Sequence, residues 1–113
     1  PTVFRRPSGE TKLLRAGGIG LGLNSGKIFD KTLRVETVQL IPDDKLFFYS
    51  DGITEAMNPK NEEYGEERLM SLTEQLDSAG ADEARDTVLN DVKVFLGSNQ
   101  PQDDQTLVVV KVT

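Results

Sequence analysis

The sequence predicts an α+β fold of mostly antiparallel strands, with two consecutive helices ahead of the last strand. Three observations carry this. Short β-rich segments bounded by turn residues fill the first half of the chain. Two runs with apolar residues at helical spacing follow between residues 66 and 96. A compact apolar segment, Leu107-Val108-Val109-Val110, comes near the end. Strands, then helices, then a strand is the order expected of helices packed on one face of an antiparallel sheet.

Residues 1–14 read as a hairpin. Thr2-Val3-Phe4-Arg5 is β-rich, Pro7-Ser8-Gly9 is a turn cluster, and Thr11-Lys12-Leu13-Leu14 is the return arm. Residues 16–26 are loop-like and carry Gly17, Gly18, Gly20, Gly22 and Gly26. Their spacing fits G-x-G-x-x-G in no register, and no Gly-Lys-Ser/Thr follows, so a nucleotide fingerprint is rejected. The glycines predict a backbone that turns or approaches another backbone closely. Residues 32–40 alternate, with Leu33 and Val35 on one side and Arg34, Glu36 and Val38 on the other, which predicts a half-buried strand. Pro42-Asp43-Asp44 is a turn. Residues 45–50 form a compact apolar strand, expected to be central and ended by Asp51-Gly52.

Gly65 precedes a helix on which Leu69, Leu72 and Leu76 recur. Glu66 and Glu67 suit its first turn, where the helix dipole favours negative charge. Ser78-Ala79-Gly80 ends it. A second helix over residues 82–96 carries the stripe Ala84, Val88, Val92 and Phe95, widened by Leu89 and Leu96. Gly97 supplies its stop. Residues 106–113 form the final strand, whose near-continuous apolar character predicts burial on both faces.

The 113 residues are 36% hydrophobic and 28% charged, enough for one modest core. There is no cysteine, which excludes disulfides, thiol nucleophiles and Cys-ligated zinc. There is no histidine, which excludes Ser-His-Asp chemistry, imidazole bases and His-metal ligation. Carboxylates, hydroxyls, Lys and Arg remain. The most economical chemistry for carboxylates is to hold a hard, oxygen-loving cation such as Mg²⁺ or Mn²⁺. The net charge of −6 argues against a nucleic-acid partner. The longest apolar runs are four residues, Leu46-Phe47-Phe48-Tyr49 and Leu107-Val108-Val109-Val110, against about 20 needed to span a membrane. No apolar signal region stands at the N-terminus, so a cytoplasmic location without membrane insertion is expected. Starting at Pro1, the chain is expected to be cut from something longer.

Two acidic positions stand out. Asp51 follows the strand over residues 45–50, and Asp103-Asp104 precedes the strand over residues 106–113. If these strands are antiparallel neighbours, those two ends coincide in space. Carboxylates so gathered repel one another, and a divalent cation is the simplest compensation. A solvated rim is the other option. Side chains alternate along a strand, so Asp103 and Asp104 cannot both enter one site.

Phe48-Tyr49-Ser50-Asp51-Gly52-Ile53-Thr54-Glu55-Ala56 resembles the "Y-[ST]-D-G-[VI]-T-E-A" segment of the SpoIIE/RsbU-type phosphatases. These are the bacterial branch of the metal-dependent, protein phosphatase 2C-like (PPM) serine/threonine phosphatases. Tyr64-Gly65-Glu66-Glu67-Arg68-Leu69 is similar to the family's "[FY]-G-x-x-R-L" helix start. Gln102-Asp103-Asp104-Gln105-Thr106-Leu107-Val108 is similar to its closing "D-D-x-T-L-[VI]-V" strand, and Gly20-Leu21-Gly22-Leu23 resembles its "P-L-G-L" segment.

The resemblance implies part of a β-sandwich flanked by helices. It implies two Mn²⁺ or Mg²⁺ ions and a metal-activated water that attacks a phosphoserine or phosphothreonine. Asp51 and Asp103 then match metal ligands. Asp104, which relatives also fill with Asn, Gly52, which allows close backbone approach, and Ser50 match supporting positions. Thr54 and Glu55 are expected to cap or hydrogen-bond.

The family's domain runs to about 200 residues, in the usual domain range. Its first half carries "G-G-D", "G-H-G" and "N-A-G-H" blocks, none of which occurs here. Residues 1–113 are therefore expected to be the C-terminal portion of one such domain, inactive by itself. Half a sandwich should expose apolar faces and self-associate. The family setting implies bacterial signalling or sigma-factor regulation, with an upstream sensor or receiver domain and a phosphorylated antagonist of an anti-sigma factor as substrate. The alternative is a non-catalytic regulatory or interaction module on a degenerate phosphatase fold.

Overall fold

The Pro7-Ser8-Gly9 turn closes with Gly9 N–H donating to the Arg6 carbonyl at 3.0 Å and Arg6 N–H to the Glu10 carbonyl at 2.8 Å. It joins strands β1 (Thr2–Arg5) and β2 (Thr11–Leu14). The computed structural model describes residues 1–17 and 26–113. Most of the glycine-rich loop, including the Gly20-Leu21-Gly22-Leu23 block, lies outside the described residues. Next come α1 (Lys27–Thr32), β3 (Lys45–Tyr49), α2 (Asp51–Thr54), α3 (Glu66–Glu74), α4 (Ala81–Leu96) and β4 (Leu107–Lys111). The four strands form one antiparallel sheet in the order β2-β1-β3-β4, as the α+β expectation requires.

Alternation decides what each strand buries. Lys45, Phe47 and Tyr49 face the helices, while Phe48 on the other face is 43% exposed. Val3, Phe47, Tyr49 and Ile53 pack with Leu69 of α3 and with Ala84, Val88, Val92 and Leu96 of α4. The α4 stripe therefore runs through Leu96, whereas Leu89 at its margin is 36% exposed. Gly97 ends α4 at φ 58°, a left-handed conformation that a side chain would strain.

At one end of the covered face the register aligns Arg5, Lys45 and Lys111 across three strands. Arg5 Nη2 donates to the Glu74 carbonyl at 3.0 Å and pairs with Asp77. Lys45 Nζ donates to the Asp77 carbonyl at 3.1 Å. These cations satisfy carbonyls at and just beyond the end of α3, which the helix itself leaves unpaired. Burial, then the nearby Arg5 and Lys111 charges, lowers the Lys45 pKa from its ordinary value.

Two expectations are corrected. Residues 32–40 form no strand; α1 takes residues 27–32 and irregular backbone follows. Val35 is 85% exposed, and Thr37, Val38 and Gln39 lie beside Phe4 and Lys12 on the outer face of β1 and β2. Alternation says which side chains would be dry once a strand is paired, but it supplies no partner. None of the four described strands pairs with this segment. The final strand is not buried on both faces either: β4 is an edge strand, with Val108 51% and Val110 42% exposed. Its apolar run supplies two faces for burial, and the helices cover only one. Among the described residues, no helix is long and apolar enough to cross a membrane.

Candidate functional site

Strands β3 and β4 are antiparallel neighbours, with Tyr49 opposite Leu107. The end of β3 that carries Asp51 therefore meets the start of β4 that follows Asp103 and Asp104. The ladder continues beyond the strands: Ser50 N–H donates to the Thr106 carbonyl at 3.0 Å. The Ser50 hydroxyl donates to the Asp104 carbonyl at 3.1 Å and accepts from Thr106 N–H at 2.9 Å. Gln105 Nε2 donates to the Gly52 carbonyl at 3.2 Å.

Gly52 shows how tight this junction is. A Cβ built there would lie 2.2 Å from the Asp104 carbonyl oxygen and 2.9 Å from its carbon. Those are backbone atoms of the opposing segment and cannot swing away. Only glycine admits this approach, so the Asp-Gly dipeptide here is set by packing against another chain segment as well as by the turn.

Asp51, Asp103 and Asp104 are all exposed. Among the described residues, none of the three belongs to an ion pair. Asp103 Oδ1 accepts from Asp104 N–H at 2.8 Å, which fixes the bend before β4. Asp51 borders an open depression of about 470 Å³ with Glu55, Glu63, Glu66 and Arg15. Asp103 borders an adjoining one of about 260 Å³ with Gly52, Glu55 and Gln102. The fold thus brings the two aspartate-bearing segments into contact. It does not gather their carboxylates into one depression.

Exposed carboxylates free of cationic partners fit a hard divalent cation in kind. They do not fit it in number: among the described residues no three acidic side chains group closely enough to hold a metal. This chain therefore offers part of a donor set.

Sequence reasoning places none of Glu55, Glu66 and Arg15 at the site: Glu55 is expected to cap or hydrogen-bond and Glu66 to suit a helix first turn. Glu55 borders both depressions. Glu66 opens α3, pairs with Arg15 beyond β2, and accepts from the Tyr49 hydroxyl at 3.2 Å. Burial first, and Glu66 next, pushes the Tyr49 hydroxyl far above its ordinary pKa, so it stays a donor. Three elements are thereby tied at the wall beside Asp51. The sequence signals are membership of Glu55 in the Phe48–Ala56 block, and of Glu66 in the Tyr64–Leu69 block and in a helix first turn.

Tyr64 and Arg68, which look equally motif-like, lie elsewhere. Arg68 forms a two-bond fork with Asp91 of α4, each bond 3.0 Å, and the Tyr64 hydroxyl donates to Asp91 Oδ2 at 2.6 Å. The guanidinium sits 4.8 Å over the Phe95 ring, which meets Tyr64 edge-on at 5.4 Å. This cluster locks α3 to α4.

The family model described as Stage II sporulation protein E (SpoIIE) matches residues 1–113. Among solved structures, the manganese-presoaked phosphatase domain of the cell fate determinant SpoIIE from Bacillus subtilis is 25% identical and superposes with a TM-score of 0.71. The match covers 99% of this chain and 46% of that one. The same domain without the presoak is 25% identical, with a TM-score of 0.68 and 99% and 47% coverage. The chain thus spans about half the length of the structures it matches. No curated protein matches it.

Proposed function

Because the chain belongs to the SpoIIE family, we propose that it is the C-terminal portion of a phosphatase domain that removes phosphate from phosphoserine or phosphothreonine in a protein. The observation that carries this reading is the junction at Gly52, which holds the Asp51 turn against the Asp103-Asp104 segment. In this reading Asp51 and Asp103 hold Mn²⁺ or Mg²⁺ together with donors from outside residues 1–113. The manganese presoak of the SpoIIE domain favours a manganese-type ion. A divalent cation supplies charge neutralisation for the phosphoryl group and acidifies water for attack on phosphorus. The chain's own contribution is positional: Gly52 permits the contact, Ser50 spans it, and the Asp104 backbone forms its far side. The proposed setting is bacterial cytoplasmic signalling, with a phosphorylated antagonist of an anti-sigma factor as substrate.

The test is hydrolysis of a phosphoserine peptide with Mn²⁺ by the protein carrying the complete domain. Asp51→Asn and Asp103→Asn should each lower turnover at least about 100-fold, the most that losing a group which merely supports a metal ligand typically costs. Residues 1–113 alone should be inactive. Turnover that survives both substitutions would remove the metal roles. A complete domain that never turns over, yet binds the phosphoprotein, would favour the non-catalytic module.

A further inference from the structure

The Gly52 carbonyl is the odd acceptor in the corner between β3 and α2. In a continuing helix it would take the amide four residues on. Ala56 N–H goes instead to the Ile53 carbonyl at 3.4 Å, and Glu55 N–H to the Asp51 carbonyl at 2.8 Å. The Gly52 carbonyl is left to Gln105, whose side-chain amide reaches it across the rim at 3.2 Å. Ser50 crosses the same gap with its own two bonds. Asp51 therefore lies between two anchored residues, Ser50 and Gly52. On the opposing segment, Gln105 directly follows Asp103 and Asp104. Gln105 is half-buried, while the three aspartates it neighbours are exposed.

We infer that Gln105 is a positioning residue: its amide ties the turn bearing Asp51 to the segment bearing Asp103, and so fixes how these two aspartates stand relative to one another as part of a donor set completed from outside residues 1–113. The inference rests on the metal-dependent reading above. Buried Ile53 seats α2 in the core, but the hydrogen bonds of Ser50 to the opposing segment all lie on the N-terminal side of Asp51. Gln105 adds a hydrogen bond to that segment on the other side, at Gly52. The position between Asp104 and Thr106 is the open one in the closing-strand block, so the resemblance gave it no role. Removing groups that orient metal ligands typically weakens metal binding about 10- to 100-fold.

The test titrates Mn²⁺ alone into the protein carrying the complete domain, by calorimetry. Gln105→Met keeps an unbranched chain of similar length and deletes the donor. Mn²⁺ should bind about ten-fold more weakly, with the metal-free melting temperature unchanged. Phosphopeptide turnover should return at saturating Mn²⁺ with KM unchanged, whereas a general packing defect would depress kcat at every Mn²⁺ concentration. Gln105→Glu is the second variant, and it decides if Gln105→Met does not fold. Its added negative charge alone would tighten a cation, so weaker binding reports the lost tie. Unchanged or tighter Mn²⁺ binding in either folded variant, while Asp51→Asn abolishes it, overturns the role of Gln105 and leaves the metal site standing. Mn²⁺ binding that survives Asp51→Asn overturns both.

Discussion

Two charged blocks, Ser50-Asp51-Gly52 and Tyr64-Gly65-Glu66-Glu67-Arg68, sit close together in the chain and end in opposite physical states. At the second, Arg68, Asp91 and Tyr64 satisfy one another and pin α3 to α4. At the first, the backbone is laced tightly to Asp103-Asp104, yet the carboxylates stay exposed and outside the described ion pairs. A charge that has already found its partner stabilises the fold. One that is held rigidly without a partner is available to a ligand. Motif membership alone does not separate the two cases.

The largest effect expected on stability comes from the laced side. Gly52→Ala forces a methyl group against the Asp104 backbone and should destabilise by roughly 3 kcal/mol, the upper part of the overpacking range. Chemical denaturation measures it, and a neutral result would mean that the two segments separate freely. Arg68→Met should cost less, about 1 kcal/mol, because solvent around the half-exposed guanidinium holds the pair near the range of surface ion pairs. A loss as large as that at Gly52 would reverse the contrast.

Acid separates the clamp from the rim more finely. The hydrogen bond from Arg68 lowers the Asp91 pKa; partial burial opposes this, and the bond from Tyr64 adds to it. A carboxylate depressed in the folded state contributes stability that is complete above its unfolded value of 3.8 and is lost as pH falls through the lower folded one. The stability difference between the parent and Asp91→Asn should therefore shrink below about pH 4. A pH-independent difference would show that the charge on Asp91 does nothing.

The smallest effect on stability is expected on the outer sheet face. Phe48 lies opposite Val108, and both are exposed. Residues 1–113 in isolation should self-associate through such a surface. Phe48→Ser combined with Val108→Thr should reduce that association in size-exclusion chromatography with light scattering, leaving the fold intact. A clean monomer of the unsubstituted chain would contradict it.

Much of the fold is legible in the residues because each element carries its own period. The first hairpin, β3 and α4 fall within a residue or two of their sequence-based limits, and α3 starts where expected but stops at Glu74, short of the Ser78-Ala79-Gly80 break and with Leu76 outside it. Residues 32–40 fail for the converse reason. Their alternation is as regular as any strand's, but pairing needs a neighbour that alternation cannot provide. The meeting of the Asp51 and Asp103 segments is legible as a conditional, true if β3 and β4 are neighbours. The contacts of Glu66 and Gln105 are not legible, because what each touches depends on elements distant in sequence.

Local chemistry in the chain was enough to dictate the α+β class, the two longer helices α3 and α4, the first turn, and a chemical vocabulary narrowed to carboxylates, hydroxyls, Lys and Arg by the lack of Cys and His. Strand order, the exposed status of β4, and the pairing of Arg68 against the freedom of Asp51 came only with the folded chain. The reason is one of range. Periodicity and turn preference act over a few residues, whereas a charge becomes structural or available through neighbours that only long-range packing assembles.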